Sequence, residues 1–168
     1  MIMPKNDYFD IEENITKLKN ELERWRGTRF MYSTGGIAEP GCYADCLSFP
    51  LNVFKNIGLI PADYQAPDYA SRRSGRHELQ KIYDCLDAFP NTITVWEKGD
   101  CDFYVGLRWI YTGDIIVAST GIATHHLMIY VDDDHVWHCW PNDGVTTTHI
   151  GERIIYKYAQ KVYRFKCL

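Results

Sequence analysis

Three residues of this 168-residue chain have the types and spacing to do nucleophilic chemistry together: Cys46, His126 and His138. A thiol becomes an effective nucleophile when a base lies within hydrogen-bond reach and a third group orients that base. Cys46 stands in the stretch Gly41-Cys42-Tyr43-Ala44-Asp45-Cys46-Leu47-Ser48-Phe49-Pro50, where turn-prone residues run into a short apolar segment. That segment reads as a helix with Asp45 as its N-cap, a buried stripe of Leu47, Val53, Phe54 and Ile57, and Pro50 in the first turn. Gly58 and Pro61 close it. The first turn leaves N–H groups unpaired at the electropositive end of the helix dipole, so the expectation is a depressed thiol pKa at Cys46. Taken alone the stretch fits a buried inert cysteine better, since that is what most free cysteines are.

The histidines change the odds. Thr124–Val131 and His135–Trp140, joined by Asp132-Asp133-Asp134, read as an antiparallel hairpin. Side chains alternate, so His126, Met128 and Tyr130 share one face, and His125, Leu127, Ile129 and Val131 share the other. The second face has three apolar members and is the core side, with His125 partly buried at the strand's start. A three-residue turn pairs Met128 with His138 and His126 with Trp140, which puts His138 diagonally beside His126. A two-residue turn puts Trp137 and Cys139 there instead. The first register yields Cys46–His126–His138, with His126 as base and later acid, and His138 holding its tautomer and orientation. His135 and His149 read as surface residues and His77 as part of a helix.

The remaining elements must carry this site. Residues 10–26 read as an amphipathic helix with Ile15, Leu18, Leu22 and Trp25 on one stripe, an Asp10/Glu13 capping box, and Gly27 as C-cap. A loop follows to Gly41; its Gly35-Gly36 pair is not a phosphate loop, since no Gly-Lys-Ser/Thr comes after it. Between 62 and 112 the pattern is weaker. Arg72, Arg73 and Arg76 read as a solvated loop, His77–Phe89 as a helix, and Thr92–Trp96 and Asp102–Trp109 as strands. Ile115–Ala118 reads as a buried strand, and the stretch Ile154–Phe165 as a last one. Helices first and strands after them predict an α+β fold, with helices packed on a central antiparallel sheet.

Composition sets the outer bounds. The length suits one domain, 1–168, and 46% apolar residues suffice for a core. A net charge of −4 argues against nucleic acid as a partner, because phosphate binding needs a basic face. The six cysteines lack the spacing of a disulfide framework or of a Cys-x-x-Cys metal site, so they read as free thiols made in a reducing compartment. No cofactor or metal is called for. The first residues hold no long apolar run, so neither a signal peptide nor a membrane span is expected, only cytoplasmic synthesis.

The motifs together resemble a known family. Gly27-Thr28-Arg29-Phe30-Met31-Tyr32, Gly35-Gly36, Asp45-Cys46, Gly113-Asp114-Ile115-Ile116, His126-Leu127-Met128-Ile129-Tyr130-Val131 and His138 resemble, in order and spacing from about residue 10 to 165, the signature of the NlpC cysteine peptidases. These are papain-like cell-wall hydrolases that cut peptidoglycan stem peptides. The resemblance implies a Cys46–His126–His138 triad and a peptidoglycan peptide as substrate. The segment from Gly144-Val145 to Tyr163-Arg164-Phe165 looks most like the branch carried by tailed bacteriophages and prophages, which implies phage tail proteins as partners and association with the virion. In that family a tyrosine near the nucleophile often stands where this chain has Phe30. Tyr32 shares the side of Phe30 if the stretch is extended, and is then expected on the oxyanion and substrate side together with Asp45. Two further departures are Leu47-Ser48-Phe49, where the family has a small-Gly-Leu run, and Cys139, where a small residue is usual.

Other functions fit the same residues. A papain-like thiol acyltransferase would keep the triad and change the acceptor. A non-catalytic phage-tail or cell-wall binding module would keep only the fold. A zinc site from His135, His138 and Cys139 is the weakest reading, because these ligands crowd one hairpin with no second half.

Overall fold

Hydrophobic periodicity decides the first element. In this computed structural model, which describes residues 8–32, 38–65, 75–119 and 126–167 (for 75–78 the backbone only), helix α1 runs Glu12–Trp25 and buries Leu18, Leu22 and Trp25. It starts two residues later than expected, so Asp10 lies outside it and makes no cap. No side chain caps Ile11, and the Asn14 amide instead donates to the Tyr8 carbonyl at 2.9 Å. Glu12 and Glu13 still place negative charge on the first turn, where the dipole favours it. One polar residue of α1 is buried, contrary to the solvated face expected of it. The Glu21 carboxylate accepts from the Trp25 indole at 2.9 Å, the Asn56 amide at 2.6 Å and the Arg24 guanidinium at 2.6 Å, tying α1 to the helix that follows Cys46.

That helix, α2 (Ser48–Asn56), buries Phe49, Leu51, Val53 and Phe54. Full burial of such a side chain stabilises by about 1.5–3 kcal/mol each. Phe54 stacks on Phe165 at 5.1 Å between ring centres, anchoring α2 to the sheet. Helix α3 (Gly75–Asp87) packs Ile82 and Leu86 into the same core.

The main sheet has six strands in the order β3-β8-β4-β5-β6-β7, every neighbouring pair antiparallel. The strands are β3 (Thr92–Glu97), β4 (Ile115–Ala118), β5 (His126–Val131), β6 (His135–Trp140), β7 (Gly144–His149) and β8 (Ala159–Phe165). The architecture is therefore the expected α+β fold with N-terminal helices on an antiparallel sheet. A second pair of short parallel strands, β1 (Arg29–Phe30) and β2 (Tyr43–Ala44), lies ahead of the site. Two cores result from alternation. Ile115, Val117, Leu127, Ile129, Val131, Trp137 and Cys139 face α1 to α3, whereas Ile116, Ala118, Met128, Val136 and Val162 face a smaller cluster with Phe103 and Ile155.

Three stretches fold differently from expectation. Residues 102–109 are helical rather than extended: α4 (Phe103–Gly106) begins with the Asp102 carboxylate accepting from the Tyr104 N–H at 2.9 Å, and a 3-10 turn spans Leu107–Trp109. The last strand starts later, after the short helix α5 (Arg153–Tyr156), and inserts between β3 and β4. Strand β7 has no counterpart in the sequence reading. His125, Thr124, Gly35-Gly36, Arg72 and Arg73, and the side chains of Arg76 and His77, lie outside the described residues.

Candidate active site

The turn between β5 and β6 is the three-residue one. Val131 pairs with His135, Tyr130 with Val136 and Ile129 with Trp137, and that register sets His138 beside His126. His126 Nε2 and His138 Nδ1 are 2.8 Å apart, both rings about 5% exposed. The second nitrogen of His138, Nε2, lies 2.8 Å from Thr148 Oγ1 on β7. The half-buried Trp140 sets its ring edge-on to His126 at 4.8 Å and to His138 at 5.8 Å, covering the bond between them. Burial lowers the His138 pKa to about 4, with the Asp143 carboxylate opposing the shift. His138 is therefore a neutral imidazole, one N–H and one lone pair, at any pH near neutrality.

Cys46 reaches this place from the other layer. The Asp45 carbonyl accepts from Phe49 N–H at 3.1 Å, so Cys46 lies in a turn that leads into α2, whose N-cap is Leu47 rather than the expected Asp45. The Asp45 carboxylate, 1% exposed, accepts from the N–H groups of Leu47 at 3.0 Å and Ser48 at 2.7 Å, while its own N–H donates to Ser48 Oγ. This is the reciprocal arrangement of a capping box. The carboxylate thus closes the turn that carries Cys46.

The stretch before Cys46 is tied down on two sides. Met31 N–H donates to the Ala44 carbonyl at 2.8 Å, and the Cys139 thiol donates to the same oxygen at 3.5 Å. Gly27 and Thr28 exchange main-chain bonds with Val145 at 2.9 and 2.8 Å, fastening the segment to β7. Gly144 permits that approach: its φ is +67°, and a Cβ there would stand 2.2 Å from the Thr28 carbonyl oxygen. Only glycine fits both requirements.

The thiol meets the sheet where the β5–β6 ladder ends. Tyr130 exchanges main-chain bonds toward β4, with Asp114 and Gly113, so by alternation the N–H groups of Leu127, Ile129 and Val131 point toward β6. Pairing stops at Ile129↔Trp137, and the Leu127 N–H bonds to the Cys46 sulfur instead. Helix α2 packs on the face opposite to the His126 row.

The depressed thiol pKa expected at Cys46 is not found. Burial pushes the thiol up, the Asp45 carboxylate and Cys139 add to this, and the N–H groups of Leu127 and of Cys46 itself offset only part of it. Desolvation of the buried thiol outweighs the N–H groups around it, and the Asp45 carboxylate adds a negative charge to the same side of the balance.

Tyr32 is 71% exposed, with its ring edge-on to the half-buried Phe30 at 4.7 Å. The two rings share a side, as an extended stretch requires. His138 belongs to the strand row opposite His135 and Cys139, so those three residues do not converge. Among the described residues no group of three or more His, Cys, Asp or Glu is placed to hold a metal ion, and no helix is long and apolar enough to cross a membrane. Thr148 was missed from sequence because β7 was missed. Its signal was Asn142-Asp143-Gly144, a hairpin turn followed by a β-branched run.

No family model and no curated protein matches the chain. Solved structures do. A protein described as similar to lipoprotein of the NLP/P60 family from Staphylococcus aureus subsp. aureus Mu50 aligns over 100% of this chain and 45% of its own, with a TM-score of 0.59 and 16% identity. NlpC1 from Trichomonas vaginalis aligns over 98% of this chain and 46% of its own, at 0.52 and 16%. The NlpC/p60 domain of the peptidoglycan hydrolase SagA aligns over 88% of this chain and 96% of its own, at 0.50 and 12%. The chain spans less than half the length of the first two. It has the NlpC/P60 fold.

Proposed function

We propose that this chain is a cysteine peptidase that cleaves peptide bonds in peptidoglycan stem peptides. The observation that carries the reading is the buried 2.8 Å bond between His126 and His138, with the Leu127 N–H, next along β5, bonding to the Cys46 thiol. The likeness of fold to a peptidoglycan hydrolase domain supports the substrate class. In this reading Cys46 attacks the scissile carbonyl carbon while its proton passes to His126. The oxyanion accepts from backbone N–H groups at the helix start, with the Tyr32 hydroxyl as a further donor. His126 then returns the proton to the departing amine, leaving a thioester that water hydrolyses with His126 again as base. Because burial raises the thiol pKa, the proton leaves as the sulfur attacks, rather than from a thiolate formed beforehand. The resemblance of residues 144–165 to the phage and prophage branch supports tail proteins as partners.

Purified muropeptides incubated with the protein and read by mass spectrometry test this directly. Cleavage between stem-peptide residues is expected, and Cys46→Ala should abolish it with folding intact. A folded wild-type protein that leaves every muropeptide whole would favour the competing reading, a non-catalytic cell-wall binding module. Two observations lean toward that module: the raised Cys46 pKa and Phe30 in place of the family's tyrosine.

A further inference from the structure

The hydrogen-bond chain does not stop at His138. We propose that Thr148 is a positioning residue that holds His138, and through it His126, in the tautomer needed for proton transfer. The inference rests on the peptidase reading for its purpose, but on geometry alone for its content. His126 Nε2, His138 Nδ1, His138 Nε2 and Thr148 Oγ1 form a line of two 2.8 Å contacts. A neutral imidazole has one donor and one acceptor nitrogen, so only two proton patterns satisfy this line.

In the first pattern the Thr148 hydroxyl donates to His138 Nε2, and His138 Nδ1–H donates to His126 Nε2. His126 then carries its proton on Nδ1 and cannot accept another there. In the second pattern His138 Nε2–H donates to Thr148 Oγ1, and His126 Nε2–H donates to His138 Nδ1. His126 Nδ1 then carries the lone pair and takes the proton of Cys46. The imidazolium so formed keeps its Nε2–H bond to His138, and no other proton in the line has to move.

Two considerations select the second pattern. Both rings are then Nε2–H tautomers, the form that neutral imidazole side chains favour intrinsically, whereas the first pattern makes both the disfavoured form. A threonine hydroxyl also has two acceptor lone pairs, and Thr148 is half-buried, so its own O–H can turn to solvent while it accepts. The register holds Thr148 in place: Val136 pairs with Thr148 and His138 with Thr146, which sets the hydroxyl diagonally beside the His138 ring. Trp140 screens the histidine pair from competing water.

The experiment is two-bond nitrogen–proton correlation NMR on histidine-labelled protein at pH 7, on wild type, Thr148→Val and Thr148→Ser, with kcat and KM on the best muropeptide. Wild type and Thr148→Ser should show His126 and His138 as Nε2–H tautomers. Thr148→Val should show His138 shifted toward Nδ1–H, and kcat lowered about tenfold with KM unchanged. A wild-type His138 or His126 protonated on Nδ1 overturns the proposal. So does a Thr148→Val protein with unaltered tautomers. Absent turnover in wild type would reject the peptidase reading, and the NMR result would still decide the role of Thr148.

Discussion

Two buried polar networks in this molecule invite comparison. At one, Asp114 and Arg164 are wholly buried and joined by contacts of 2.8 and 2.7 Å, from guanidinium Nε and Nη to the two carboxylate oxygens. Arg164 also donates to the Trp109 carbonyl at 2.6 Å, and Asp114 accepts the Tyr111 N–H at 2.8 Å. At the other, His126, His138 and Thr148 are linked by two contacts of the same length and carry no formal charge while the rings are neutral. The first network fixes opposite charges against each other and closes the corner between β4 and β8. The second can take up and release a proton without changing its partners. Burial and short hydrogen bonds alone therefore do not distinguish structure from chemistry. What distinguishes them is whether a protonation change leaves the network satisfied.

The sharpest way to break this contrast is to remove one partner of the ion pair. Asp114→Ala should cost about 3–5 kcal/mol of stability, because it strands the Arg164 charge in the interior. Chemical denaturation measures it, and a loss below about 1 kcal/mol would place the pair among the energetically idle ones.

Acid acts on the two networks with opposite sign: burial raises the Asp114 pKa to about 6 against the pull of Arg164, so protonation there favours the folded state as pH falls. His138 titrates at about 4 when folded against an ordinary 6.5, because burial disfavours its charged form. The unfolded chain thus binds this proton first as pH falls. The contribution is fully present above about 6.5 and is lost progressively down to about 4, reaching roughly 3 kcal/mol at the acid end. Urea titrations at pH 7 and pH 4.5 should show this slope in wild type and a shallower one in His138→Gln. Equal slopes would mean that burial does not hold the His138 pKa below its ordinary value.

The smallest effect concerns a hydroxyl outside both networks. A buried oxyanion donor is commonly worth about 10²–10³ in rate. Tyr32 is mostly exposed, so water competes for its hydroxyl and Tyr32→Phe should lower kcat by no more than about tenfold, with KM steady. An unchanged kcat would remove Tyr32 from the oxyanion side.

Local rules in the sequence determined a good deal. The alternation of His126, Met128 and Tyr130 and the three aspartates at the turn narrowed the hairpin to two registers, and only the pairing of Val131 with His135 decided for the one that brings His138 to His126. The apolar stripe after Cys46 was enough to mark a helix, although that helix starts two residues later than Asp45 as N-cap implied. Both are short-range features, readable because a strand's period and a helix's first turn involve only neighbours in the chain. The helical fold of 102–109 was less legible, since it hinges on the Asp102 cap and on Gly106, where a Cβ would stand 2.7 Å from the Trp96 ring. Tertiary structure alone decided the rest. That β8 enters between β3 and β4, that β7 brings Thr148 to His138, and that the Cys46 sulfur meets Leu127 where the ladder ends are all contacts between distant segments. The same holds for the thiol pKa: a helix start predicts a depressed value, but desolvation and the Asp45 charge depend on what packs around the sulfur, and they reverse the sign.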